Sequence, residues 1–173
     1  FVVLTSDRGL CGGFNSNIIK KAKVYFGKVL DEGKTLKIIT VGSKGYDQLK
    51  RLYNDKIIEK ISFKESKNAN YFDAEKVGKI IIESFLKKEF DVCTIFYNKF
   101  KNVITQIPQA QQIIPLKSSE SEGSSSEDNY EFEPEEDEIL KNLLPKNIST
   151  QVFKAMLENS ASEQGSRMSA MDN

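Results

Sequence analysis

Phe1-Val2-Val3-Leu4-Thr5-Ser6-Asp7-Arg8-Gly9-Leu10-Cys11-Gly12-Gly13-Phe14 opens the chain, and its reading decides the fold. Five residues of continuous apolar, β-favouring character run into a glycine-rich turn. A helical pattern follows at once, with Ile18, Ala22, Tyr25, Phe26, Val29 and Leu30 on one face and Gly33 placed to end it. A buried strand feeding a tight turn and then a helix is the first half of a βαβ unit. The pattern repeats outward. Leu36 to Val41 reads as a second strand and is followed by a short helix around Tyr46, Leu49, Leu52 and Tyr53. Ile57 to Phe63 is a weaker strand pattern. Asp73 can cap a helix carrying Ala74, Val77, Ile81 and Phe85 on one face. Asp91 to Tyr97 reads as a buried strand, and Val103 to Ile114 as a strand returning beside it in a hairpin. The fold class is therefore α/β, a mostly parallel sheet with helices on both faces, spanning residues 1–116.

Beyond residue 116 the texture changes. Residues 117–129 carry the run Ser-Ser-Glu-Ser-Glu-Gly-Ser-Ser-Ser-Glu-Asp-Asn, without a large apolar side chain, and read as a flexible acidic loop. Residues 130–145 read as a brief strand at Tyr130 to Glu133 and then a helix opened by Pro134. Acidic residues fill its first turn, and Ile139, Leu140, Leu143 and Leu144 would dock it on the body. Residues 146–173 form a further helical pattern. Ile148, Val152, Phe153, Met156 and Leu157 make an ordinary apolar face. From Ser160 the helix is rich in Ser, Ala and Gly, with Met168 and Met171 the large apolar exceptions. Small residues permit close helix approach, so this part is expected to leave the body and pair with a helix outside the chain.

The chain has 173 residues, with 25 basic and 25 acidic side chains balancing to zero. The balance hides a division. Residues 1–116 hold 20 basic and 12 acidic residues, residues 117–138 hold one and ten, and residues 139–173 hold four and three. No apolar run reaches the ~20 residues of a membrane-spanning helix. There is no histidine, which excludes His-based triads and His metal sites. Cys11 and Cys93 lack metal or disulfide spacing and read as buried, reduced thiols. The first residues lie inside a strand pattern and the last inside a helical one, so both ends read as interior to a longer protein.

The glycine loop has two readings. Gly9, Gly12 and Gly13 between strand and helix could admit a phosphate to a helix N-terminus. Their spacing is not G-x-G-x-x-G, however, and no Lys-Ser/Thr pair completes a P-loop. The other reading is a structural turn that needs positive φ and close strand–helix packing. Gly42-Ser43-Lys44-Gly45 is a second turn of this kind. Cys11 or Ser6 with Asp7 could be a nucleophile, but no histidine is present to act as base. Basic residues are interleaved with acids, without stacking aromatics, so no nucleic-acid partner is expected. Glu163 and Arg167 lie four apart on one helical face.

Four segments carry a resemblance. Ser6-Asp-Arg-Gly-Leu-Cys-Gly-Gly-Phe-Asn15 and Ala161-Ser-Glu-Gln-Gly-Ser-Arg-Met-Ser-Ala-Met-Asp-Asn173 are similar to signatures of the gamma-subunit family of F-type ATP synthases. Tyr97-Asn98-Lys99-Phe100, and Phe132-Glu133-Pro134, fit the same family in the same order. The resemblance covers essentially the whole chain. It implies a Rossmann-like α/β domain between two long helices that form a coiled-coil rotor shaft, peripheral to an energy-transducing membrane on its cytoplasmic or matrix face. It implies no catalytic residues, no cofactor and no membrane span. The implied partners are the alpha and beta subunits of the catalytic ring, an epsilon-type subunit and the c-ring. On matching positions, Tyr130 and Glu133 would face the c-ring. Glu163 and Arg167 would meet a beta-subunit loop, and Gly9, Gly12 and Gly13 would be a structural turn. The alternative left by the residues themselves is a Rossmann-like nucleotide-binding enzyme that uses the Gly9–Gly13 loop.

Overall fold

A computed structural model describes residues 1–64, 69–116 and 136–172, with side chains of the last segment described from Asn142 onward. The elements follow in the order β1 (Val2–Leu4), α1 (Phe14–Asp31), β2 (Ile38–Val41), α2 (Ser43–Tyr53), β3 (Ile57–Ile61), α3 (Tyr71–Leu86), β4 (Cys93–Phe100), β5 (Gln106–Ile114) and α4 (Glu136–Asp172). The five strands form one sheet in the order β3-β2-β1-β4-β5. β1 to β4 are parallel, and β5 returns antiparallel beside β4. This is the expected α/β architecture.

Each face of the sheet has its own core. On one face Ile18, Ala22 and Phe26 of α1 and Leu49 of α2 pack on Val3, Ile38 and Phe96. On the other, Ala74, Val77 and Ile81 of α3, with Ile148, Val152, Ala155 and Met156 of α4, pack on Val2, Leu4, Ile39, Val41 and Ile95. Continuous apolar strands suit burial on both faces. Gly78 lets α3 lie close to α4, since a Cβ there would come within 2.5 Å of Ser149 Oγ.

Two expectations for the C-terminal third are corrected. The helix does not restart after Pro145; α4 runs through it as one element of 37 residues. Pro145 withholds one N–H from the ladder, but helix–sheet packing begins just beyond it, at Ile148. Leu143 and Leu144, expected to dock on the body, are 52% and 43% exposed. The expected loop 117–129 and strand 130–133 lie outside the described residues, as do the side chains of Ile139 and Leu140.

Candidate functional site

In this strand order β1 and β4 are neighbours, and the crossover that leaves β1 through α1 and the one that enters β4 through α3 lie on opposite faces of the sheet. Open α/β sheets take ligands at such a point, in the crevice beyond the strands' carboxyl ends. Here β1 stops at Leu4, paired with β4 only as far as Val3↔Phe96, while β4 runs on to Phe100. The backbone of Asn98 and Phe100 on that side would be bare. Buried main-chain groups need partners, and α4 supplies them. Asn98 N–H donates to Asn159 Oδ1 at 3.1 Å, and Phe100 N–H to Glu158 Oε2 at 2.9 Å. Ser162 Oγ donates to the Asn98 carbonyl at 2.8 Å.

The glycine loop lies directly against the same helix. Ser166 Oγ donates to the Cys11 carbonyl at 2.8 Å, and a Cβ on Gly12 would sit 3.6 Å from that hydroxyl oxygen. Gly12 has φ +53°, and Leu10 shares this left-handed geometry at +61°. Gly13 is ordinary in φ and caps α1. Gly9 sits on the exposed side, nearest Lys44. Asn15 closes the loop from below. Its Oδ1 accepts from Ser6 N–H at 2.9 Å, and its Nδ2 reaches Ser6 Oγ at 2.7 Å and Cys11 Sγ at 3.2 Å. Asn98 Nδ2 donates to the Phe14 carbonyl at 3.4 Å. The Ser6–Asn15 loop, the Tyr97–Phe100 segment and the C-terminal helix therefore meet at one junction.

The small residues of α4 thus face the chain's own sheet edge. This corrects the expectation that they await an absent helix. Asn159, Ser162 and Ser166 are buried. At Gly165 a Cβ would lie 3.3 Å from the Phe100 ring and from Val103. The outward stripe is a different set. Leu157, Ala161, Gln164, Met168 and Met171 are exposed and recur at alternating steps of four and three. That is the spacing of a coiled-coil seam, turned about 180° from the fastened face at 3.6 residues per turn.

Glu163 and Arg167 lie on the flank between these faces. Arg167 Nη2 and Glu163 Oε1 are 2.5 Å apart, with both side chains partly buried. They line a cleft of about 250 Å³ with Asp7, Arg8, Lys64 and Asp73. Tyr130 and Glu133 lie outside the described residues.

The nucleophile arrangement is not assembled. Ser6 Oγ donates to the Arg8 carbonyl, and Asp7 turns away from both Ser6 and Cys11. Asp7 does something the sequence reading missed. Its carboxylate accepts from Ser43 N–H and Ser43 Oγ, both at 2.8 Å, from Ser62 Oγ at 2.7 Å and from Phe63 N–H at 3.0 Å. It ties the β1 loop to the start of α2 and the end of β3. Partial burial pushes the carboxyl up, but the bonds from Ser62, Ser43 and Phe63 outweigh this and hold it below the usual carboxylate value. A usable signal was present: α2 starts from Gly42, which offers no capping side chain. Gly42 itself has φ +101°, and a Cβ added there would lie 2.3 Å from Thr5 O. The Gly42–Gly45 turn is thus a close-packing device. Burial pushes the Cys93 thiol up to about 11, and Cys11 is also buried. Among the described residues no helix is long and apolar enough to cross a membrane.

The family model for ATP synthase matches residues 1–173. The ATP synthase gamma chain of Pelagibacter ubique (strain HTCC1062) is 84% identical over 172 residues, which are 99% of this chain and 59% of that protein. The gamma chain of Roseobacter denitrificans is 52% identical with the same coverage. The chain therefore spans about three-fifths of these relatives. Among solved structures, a chain in the central stalk and c-ring of the Tetrahymena thermophila mitochondrial ATP synthase superposes with TM-score 0.79 at 28% identity, over 99% of this chain and 74% of that one. A rotor chain of the Euglena gracilis mitochondrial enzyme shares the fold, with TM-score 0.69 at 20% identity over 64% of its length. Sequence, fold and the junction of the three motifs agree: the chain belongs to the ATP synthase family, among its gamma chains of the central stalk.

Proposed function

We propose that this chain is the α/β body of a rotor, with the root of its shaft helix, coupling proton-driven rotation of a c-ring to the catalytic beta subunits of ATP synthase. One observation carries the reading. α4 is fastened to the body on one face and presents the stripe Leu157, Ala161, Gln164, Met168 and Met171 on the opposite face. That stripe suits a second long helix, and about two-fifths of the relatives' length lies outside this chain. In this reading the chain catalyses nothing itself. Its partners are the alpha and beta subunits, an epsilon-type subunit and the c-ring, and it works at the face of an energy-transducing membrane without spanning it. The family resemblance supports Tyr130 and Glu133 as the c-ring side. It also supports Glu163 and Arg167 as the contact with a beta-subunit loop; both are partly buried in the cleft beside α4, with about a fifth of each side chain exposed. The domain division is a body at 1–116, a connecting acidic segment, and a helical shaft root that begins before Pro145.

The nucleotide-binding alternative has the geometry against it, because α4 side chains occupy the crevice that a nucleotide would need. Two measurements test the proposal. The full-length protein, reconstituted with the other synthase subunits in proteoliposomes, restores ATP-driven proton pumping. Nucleotide titration of the same protein alone gives no saturable micromolar binding. Failure to restore pumping, or binding lost on replacing Gly12 and Gly13, contradicts the reading.

A further inference from the structure

We infer that the polar contacts of Glu158, Asn159, Ser162, Ser166 and Ser169 form the torque-bearing joint between α4 and the α/β body. The inference rests on the rotor reading above. A shaft helix that drives a globular body must not turn about its own axis against that body. Apolar contact alone is a poor lock, since burial has no direction. Hydrogen bonds have direction and weaken steeply when bent. Below Met156 α4 is held by apolar side chains, but from Glu158 onward the hold changes to hydrogen bonds. These span residues 158–169, about 16 Å of helix at ~1.5 Å per residue.

Two features suit torque. The bonds end on main-chain atoms, so they grip the backbone of β4 and of the two loops beside it rather than mobile side chains. They also straddle the helix. Ser166 holds the Cys11 carbonyl in the loop after β1, while Glu158 and Ser169, about 70° away around the helix, hold Phe100 N–H at the end of β4 and the Val103 carbonyl in the β4–β5 hairpin. Asn159 and Ser162 hold Asn98 between them. Rolling α4 either way stretches one side of this set. Gly165 completes the fit, because its missing side chain lets the helix lie on Phe100 and Val103. These are positioning residues, acting through the sheet and touching no substrate.

The experiment uses full-length protein in the reconstituted synthase. The triple variant Asn159→Ala, Ser162→Ala, Ser166→Ala is compared with Val152→Ala, which weakens the same helix in the apolar core. Thermal midpoint, ATP hydrolysis and protons pumped per ATP are measured for each. The triple variant is expected to hydrolyse ATP within twofold of wild type while pumping per ATP falls at least threefold. Val152→Ala is expected to lower the midpoint and leave pumping per ATP unchanged. Unchanged pumping per ATP in the triple variant overturns the inference, as does a loss that simply tracks the fall in midpoint in both variants. If the triple variant fails to assemble, Ser162→Ala and Ser169→Ala are measured singly. A graded loss of pumping per ATP supports the joint, and no loss in either overturns it. Wild-type protein that restores no pumping overturns the rotor reading itself and the joint with it.

Discussion

Within one helix, α4 meets the sheet in two different ways. From Ile148 to Met156 it is an ordinary amphipathic helix, with Val152 and Ala155 fully buried against α3 and the strands. From Glu158 to Ser169 it is poor in large apolar residues and is held by side-chain bonds to bare backbone. The difference follows from strand length. Where β1 and β4 lie side by side, the sheet satisfies itself and needs only apolar cover. Where β4 outlasts β1, the sheet exposes donors and acceptors, and the helix above must answer them. The lower half supplies stability and the upper half supplies register.

Substitutions can break or sharpen that contrast. The largest effect is expected at Gly78→Val, which drives a branched side chain into Ser149 on α4. It should cost about 3 kcal/mol or more by overpacking, read as a lowered urea midpoint. Val152→Ala should cost about 2–3 kcal/mol, from lost burial plus a cavity. Similar stability for this variant and wild type would mean that the lower half is not the apolar anchor.

Asp7→Asn tests the same polar logic away from the helix. It should cost about 1.5 kcal/mol near neutral pH, as charge-assisted bonds become neutral ones. The folded state lowers the Asp7 pKa, so the carboxylate's contribution is full above the ordinary value of ~3.9. It is lost as pH falls below that through the folded value. The stability gap between wild type and variant should therefore close in acid, and a gap that widened there would contradict the assignment.

Ser162→Ala, in the upper half, should cost only about 1 kcal/mol. Arg167→Ala should change stability by less than about 0.5 kcal/mol, because its pair with Glu163 is a partly exposed i,i+4 bridge. It should nevertheless impair pumping in the complete synthase. Normal pumping, or an unfolded variant, contradicts its assignment to a beta-subunit contact.

Much of this was legible from residue order. Among the described residues, periodicity located the five strands and the helices between them, because a two-face sheet leaves continuous apolar runs and its covering helices leave 3.6-residue stripes. The boundary at Pro145 misled, since a proline marks a helix end locally while packing beyond it can carry the helix through. The orientation of the upper α4 was also misread. Ser162 and Ser166 looked like a surface for another helix, because small residues signal close approach without saying to what. Their partners, Asn98 and Cys11, are 64 and 155 positions away in sequence. Whether the Asn98 backbone needs them depends on where β1 ends. That is a matter of strand register, to which composition and spacing are blind. Asp7 was hidden in the same way, as its partners come from two other elements.

The account is tested most directly by watching the body turn. A bead is attached through Gln48→Cys, an exposed position on α2, in the full-length protein assembled with the catalytic subunits; the native Cys11 and Cys93 are buried and should not compete for it. On adding ATP, the bead should rotate in one direction, in step with the shaft. A stationary or randomly reorienting bead on a complex that still hydrolyses ATP would contradict it.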